Sequence, residues 1–406
     1  MPCLITTGKN QPARRFVTDS QMSRALIALA FLGALLAVLA TGLDTYARTG
    51  EWRNSVFLLP RLSPGYQAAE AQRLIQEGDY QGAEIRVRRA LALEPLNQSA
   101  LRNLAFLLER RHEGVAAARV YRAAALLGWR DPHVNAALFR SAFDRRDFAQ
   151  AAARLDALLR TERLAEFANP AGLELEQEPE ARRALARRLA SAPPWRERYL
   201  RQVNTLDDRQ LYARHLLLRE LAAQGSASSP ATAGYVARAL LRRGRPDEAH
   251  ALWMTSTGSA QEGQSLVFDG SFELPAGYRQ PPFGWELRES SGARAEVEAV
   301  GGGGSALHVV TESGSATPVA SQWLLLRSGR YRIDVRVLRG ATASIEPNLE
   351  CLDRRRVRLN STIEGAVTFS VPDHPGCRAQ RLVLYVRAAG SGATAAIDEV
   401  AIRRIP

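Results

Sequence analysis

Lysine is all but missing from these 406 residues: Lys9 stands alone, so the formal net charge of +12 rests almost wholly on arginine. Arginine scattered along helix-forming sequence, with no accompanying binding motif, reads as solvated helix faces, and nucleic acid is not an expected partner. Cysteine is scarce as well. Cys3 lies in the N-terminal tail, whereas Cys351 and Cys377 fall in one C-terminal region, where they either form a single disulfide in an oxidising compartment or remain two buried thiols. No Cys/His spacing fits a zinc site, and the histidines at 112, 133, 215, 250, 308 and 374 show no metal-ligand pairing. The glycine run Gly301 to Gly304 lacks the Lys-Ser/Thr of a phosphate cradle, Asp207-Asp208 reads as solvated helix, and no nucleophile elbow occurs. These absences argue against an enzyme and against a catalytic cofactor.

Long apolar runs are rare, with one exception. From Ala25 to Leu43 the chain carries no charge and is built almost wholly from Ala, Leu, Ile, Val, Phe and Gly, long enough for a transmembrane helix. Lys9, Arg14, Arg15 and Arg24 precede it; Asp44, Arg48, Glu51 and Arg53 follow with mixed sign. The positive-inside bias leaves the N-terminus in the cytoplasm and exports the rest. A cleaved signal peptide, with small residues around Val38-Leu39-Ala40, is the competing reading. The expected organisation is a cytoplasmic tail (1–23), a signal-anchor (24–43) that makes the membrane a partner, and a linker (44–63), with the bulk periplasmic in a bacterial inner membrane.

Composition then divides the remainder. Ala, Leu and Arg dominate to about Trp253, and Val, Ser, Thr and Gly afterwards, a change from helix formers to strand formers. At an offset of 34, Asp79, Glu113 and Asp147 superpose, as do Ala83, Ala117 and Ala151, and Ala90, Ala124 and Leu158. Gly78-Asp79-Tyr80 closes one helix and opens the next, and Pro95 ends the second. The second copy replaces that turn with His112-Glu113-Gly114, the third restores it as Arg146-Asp147-Phe148, and Gly244-Arg245-Pro246-Asp247 marks a fourth hairpin. Residues 165–209 are helical but irregular. The 34-residue period resembles the tetratricopeptide repeat, which implies stacked helical hairpins over 64–257 and protein partners bound through them.

After Gly258 apolar residues alternate, most clearly in Tyr331-Arg332-Ile333-Asp334-Val335-Arg336-Val337 and at Leu382, Leu384 and Val386. Further strands are expected at 307–310, 322–326, 367–371 and 396–402, giving an antiparallel β-sandwich over 258–406. The fold class is therefore multidomain: an all-α helical solenoid, then an all-β jelly roll, behind one membrane helix.

Three features, Leu266 to Glu273 with Gly284-Trp285, Ser328 to Tyr331, and Ile397 to Val400, resemble the galactose-binding-like jelly roll of many carbohydrate-binding modules. The resemblance implies a structural calcium on Glu273 and Asp398, the only ion expected, and a polysaccharide ligand bound by aromatic rings. Tyr278 and Trp323 are the expected exposed rings; Trp285 is also a candidate but matches a core position of that family. Anchor, repeats and sugar-binder-like module together imply a periplasmic scaffold or adaptor in cell-surface polysaccharide (exopolysaccharide) biosynthesis or export. The alternative is a structural assembly factor of an envelope protein complex with no sugar binding.

Overall fold

The computed structural model describes residues 28–35, 38–39, 63–257, 266–278, 280–289, 292–301, 303–311, 315–338, 341–361, 367–388 and 392–406. The expected tail, half of the anchor and nearly all of the linker lie outside the described residues. Within the anchor, 28–35 and 38–39 are helical and exposed, and no described helix is long and apolar enough to cross a membrane. From residue 63 onward helices precede strands, and the chain divides into two compact units, 1–138 and 139–406.

The first unit holds α1 (Pro64–Glu77), α2 (Tyr80–Leu93), α3 (Gln98–Arg110) and α4 (Gly114–Leu126), and α5 (Pro132–Asp144) runs across its boundary. Asp79, Glu113 and Asp147 are the N-caps of α2, α4 and α6 (Phe148–Thr161). Asp79 accepts a bond from the Gly82 N–H at 2.9 Å and Asp147 from the Gln150 N–H at 3.1 Å, satisfying amides that a helix start leaves open. Glu113, one methylene longer, makes no such bond. Immediately before each cap the backbone turns left-handed, at Gly78, His112 and Arg146, with φ of 83°, 63° and 59°. Ala83, Ala117 and Ala151 are buried one turn into the following helix, where a small side chain lets the paired backbones approach. The 34-residue register read from the sequence is thus the register of the hairpins. Successive hairpins are also bonded: Asn103 Nδ2 donates to Ala68 O at 2.9 Å and Gln98 Nε2 to Gly128 O at 2.8 Å.

In the second unit α6 is followed by α7 (Ala165–Gln177), α8 (Pro179–Ala190), α9 (Arg196–Arg201) and α10 (Asp208–Ala223). Here the repeat pattern gives way to a buried ionic cluster. Arg214 Nε lies 2.9 and 3.0 Å from the two Glu176 oxygens, and its Nη1 donates to the carbonyls of Tyr199 and Leu200 at 2.9 Å. The Tyr199 hydroxyl donates to Glu176 Oε1, and the Arg214 guanidinium lies 4.5 Å over the Tyr199 ring. Burial and the adjacent carboxylate push the Tyr199 phenol well above its usual value, so it remains a donor. The hairpin pattern resumes with α11 (Pro230–Arg242) and α12 (Pro246–Thr257), separated by left-handed Gly244.

Eleven short strands complete the unit among the described residues. One sheet has the order β1 (Glu286–Leu287), β4 (Thr317–Leu324), β10 (Gln380–Arg387), β6 (Ser344–Cys351), β7 (Arg356–Val357). The other runs β2 (Ala293–Val300), β3 (Gly304–Thr311), β11 (Thr394–Ile405), β5 (Gly329–Val337), β9 (Val367–Val371), β8 (Leu359–Ser361), and every pairing is antiparallel. Between the sheets sit Phe272, Leu307, Leu349, Phe369, Leu382, Leu384 and Ile402. Pro347 is tolerated inside β6 because β7 pairs only with Leu349 and Glu350, so the missing N–H falls on open edge. Pro318 sits where the β4–β10 register slips, opposite Tyr385.

The helical core of this unit takes in residues from the segments that flank the strands. Trp253 of α12 is fully buried, edge-on to Phe268 at 4.7 Å and beside Phe283 at 5.8 Å, and its Nε1 donates to Gln280 O at 2.7 Å. On α11, Gly234 faces the carbonyl of Pro281 so closely that a Cβ there would fall 2.3 Å from the oxygen. Only glycine lets the loop rest on that helix.

Two outcomes test this account. Glu176→Gln leaves the Arg214 charge buried without its carboxylate and should lower the unfolding free energy by about 3–5 kcal/mol in urea titration, with partial recovery in the Glu176→Gln, Arg214→Met double variant. A loss below about 1 kcal/mol would show the pair to be solvated. His215, on α10, is 2% exposed with an unpartnered Nδ1. Burial chiefly, helped by Arg219 and Arg245 and opposed by Glu248, lowers its pKa from 6.5 to about 4. The unfolded chain therefore takes up the proton first, so this contribution is complete above pH 6.5 and is lost as pH falls toward 4. It amounts to about 3 kcal/mol at most, and His215→Phe should flatten unfolding free energy against pH across that window.

Candidate functional site

The first unit leaves apolar surface uncovered at one recurring place. Of the eleven large apolar side chains exposed among the described residues from 63 onward, seven lie within 85–129: Ile85, Leu93, Leu96, Val115, Leu126, Leu127 and Trp129. Leu93 ends α2 and Leu96 lies in the loop to α3; Leu126 ends α4, with Leu127 and Trp129 in the loop to α5. Leu93 and Leu127 are one repeat apart. Leu126 is 89% exposed and Trp129 48%, and the Arg130 guanidinium lies 5.6 Å over the indole. Apolar residues concentrated at the hand-over from hairpin to hairpin, with an arginine at the rim, have the composition of a protein-contact surface.

The second candidate surface is the outward face of the five-stranded sheet. Leu382, Leu384 and Val386 of β10 point into the sandwich, so Arg381, Val383 and Tyr385 take the other face. In register, Arg381 lies between Trp323 and Glu350, Val383 between Ser321 and Asn348, and Tyr385 between Pro318 and Glu346. Arg381 Nη2 donates to Ser321 Oγ at 3.0 Å and lies 3.7 Å from Glu286 Oε2. Its Nε is buried without a partner, and burial, then Arg288, lowers its pKa. Arginine, tyrosine, asparagine and carboxylates in one plane can hydrogen-bond hydroxyls while offering a ring face. The β10 alternation already implied this face, through the phase opposite to its leucines; Asn348 and Glu350 escaped because Pro347 masks β6 as a strand.

The expected ligand residues separate. Trp285 is corrected to a core role: at 3% exposure, with its ring 5.3 Å from Phe272 and its Nε1 donating to Asp269 O at 2.9 Å, it has no face to offer. Trp323 is half-buried against the helical core and lines a small pocket of about 80 Å³ with His250, Trp253, Phe268 and Phe283. It belongs to the helix–sheet joint and is not an open platform. Tyr278 ends a single 3₁₀ turn, Ala276–Tyr278, and its side chain lies outside the described residues.

The two carboxylates assigned to calcium each have a protein partner: Glu273 Oε1 accepts from the Ser305 N–H at 2.8 Å, and Asp398 pairs with Arg336 at 2.6 Å. No group of three or more metal-ligating side chains occurs among the described residues. The first segment is tied to the last strand through the backbone, Leu266 N–H to Ile402 O and Val400 N–H to Gly270 O.

No protein-family model matches this chain, and no characterised protein matches it in sequence. Among solved structures, one reported for the functional characterization of Pseudomonas aeruginosa pilF is 17% identical, covers 47% of this chain and 88% of its own, and superposes with a TM-score of 0.26. A likeness at that level speaks to neither function nor ligand.

Cys351 and Cys377 are joined, with Cα atoms 4.6 Å apart, and fasten the end of β6 to the turn before β10. The closed loop of 26 residues restricts the unfolded chain by about 3–4 kcal/mol. Cys351→Ser should therefore lower the thermal midpoint by several degrees, and dithiothreitol should lower the wild type to the same value without affecting the variant.

Proposed function

We propose that this chain is a non-enzymatic adaptor of the bacterial inner membrane, its bulk periplasmic, that engages a protein partner through its repeats and a neutral or mixed-charge glycan through its sandwich, in the making or export of a cell-surface polysaccharide. The observation that carries the adaptor reading is the exposed apolar edge formed by Leu93, Leu96, Leu126, Leu127 and Trp129. Folding does not need these side chains, and two of them recur at the repeat period, as a surface laid down by the repeat for contact would require. The glycan part rests on the outward sheet face around Arg381 and Tyr385, and the membrane part on the uncharged run from Ala25 to Leu43.

A second reading, an envelope assembly factor without sugar binding, is favoured by the burial of Trp285 and the engagement of Trp323 in the joint. A photo-crosslinking residue at Leu126 or Trp129 of the full chain, in cells, should give one reproducible adduct that Leu93→Asp with Leu127→Asp abolishes while the melting temperature holds. No adduct from either position would rule out the adaptor. On a glycan array, signal from the full chain lost in Tyr385→Ala supports the sugar-binding form; a blank array beside a robust adduct leaves the assembly factor.

A further inference from the structure

The second helices of the first two hairpins repeat one arrangement, in which exposed arginines stand between exposed apolar side chains. On α2, Ile85, Arg89 and Leu93 follow at four-residue spacing and share a face. On α4, Val115, Arg119, Arg122 and Leu126 do so at spacings of four, three and four. All seven are exposed. Gln98 Nε2 donates to Ala124 O at 3.1 Å and to Gly128 O at 2.8 Å. Those bonds join the start of α3, two residues beyond Leu96, to the loop that carries Leu127 and Trp129, so the two apolar groups keep a fixed separation.

The charge along these helices has one prevailing sign. Between Tyr80 and Arg130 nine arginines stand against four glutamates. Arg89, Arg119 and Arg130 make no ion pair or hydrogen bond among the described residues, Arg130 meeting only the Trp129 ring, and Arg122 donates to the Ala118 carbonyl of its own helix at 3.2 Å. The acids are mostly engaged: Glu84 pairs with Arg88 and Arg111, Glu94 accepts from Asn97 Nδ2 at 2.7 Å, and Glu109 accepts from the Tyr121 hydroxyl at 3.1 Å. Asp131, just beyond, is held by Arg102 at 3.1 Å. Glu113 lacks a side-chain partner among the described residues, but it stands at the opposite end of α4 from Leu126. Unpaired arginines between apolar side chains are matched by carboxylates that flank apolar side chains. The fixed separation of the two groups favours a partner whose side chains also stand at fixed spacing, an α-helix, over a fluid lipid surface.

We propose that this surface docks an acidic amphipathic helix of a partner protein, its apolar side chains on the exposed leucines and Trp129 and its carboxylates on Arg89, Arg119 and Arg122. The proposal rests on the adaptor reading and names the chemistry of the partner. The full chain in phosphatidylcholine nanodiscs is titrated against three labelled peptide amides by fluorescence anisotropy, with the signal from empty discs subtracted. The first is Ala-Glu-Leu-Leu-Glu-Glu-Leu-Leu-Glu-Glu-Leu-Leu-Glu-Ala; the others replace every Glu by Lys, or every Leu by Ala. The acidic leucine peptide should bind at least about tenfold tighter than the alanine form, as burial of one leucine implies, and about fivefold tighter than the lysine form. Arg89→Glu, Arg119→Glu and Arg122→Glu together should reverse the charge preference. Gln at the same three exposed positions should make the two charged peptides bind alike without moving the melting temperature. An acidic peptide that binds no better than the lysine form, or that is indifferent to the Gln variant, overturns the proposal. A single protein adduct at Leu126 in cells alongside that result leaves the adaptor reading standing; loss of both sinks it. Lipid in place of protein in that adduct assigns the surface to the bilayer and sinks both.

Discussion

The packing of Trp253 between Phe268 and Phe283 decides what the second unit is. The fully buried indole at the end of the last hairpin shares its cluster with residues of α11 and α12, and the segment leading into the sandwich adds Phe268 and Phe283 against it. The resulting core contains residues from the helices and from the sandwich, Phe268, Phe283 and Ala379 among them. Gly234 and the Trp253–Gln280 bond fix the same contact through the backbone. A ligand on the outward sheet face therefore meets a surface that the helical core already covers at Trp323, while the other side of that sheet faces the sandwich core. Trp323 follows from the same constraint: the joint covers it.

A buried charge organises the rest of the helical part. Between α6 and α11 no repeat spacing guides packing, and Glu176 with Arg214 does so instead. Desolvating two charges is costly, and the cost is offset only when every donor and acceptor is met. Arg214 meets that condition through both Glu176 oxygens and two carbonyls, and the phenol of Tyr199 completes it. Because few arrangements satisfy so many bonds at once, the cluster specifies one packing of α7, α9 and α10 where leucines alone would allow several. The same bonds hold Tyr199 in the buried core, where Trp195 is bonded to Asp156.

The exposed edge of the first unit and the outward sheet face differ in kind. The edge is apolar with an arginine rim, suited to burying surface against a protein. The sheet face is polar with one tyrosine, and its charges largely pair with one another, so it suits a ligand rich in hydroxyls more than one of strong charge. The face lies on regular strands, whose alternation sets side-chain direction; the edge lies on the last residues of two helices and the loops that follow them, where composition is free to vary.

Local chemistry was readable without coordinates. The 34-residue register, the caps at Asp79 and Asp147, the inward phase of Leu382 and Leu384, and the strand at 367–371 are set by bonds and periodicities within a few residues, which any fold must respect. The strand Ala293–Val300 was not legible, because its inward residues begin with alanines, and β6 was hidden by Pro347, tolerable only because the neighbouring strand is short. The Glu176–Arg214 cluster joins residues 38 apart with no motif to announce it. The resemblance put Trp285 at a core position, but nothing in the sequence separated Trp253 from Trp323: they have the same side chain, and only the neighbours that the tertiary fold brings to each one decide how much of the ring remains for a ligand.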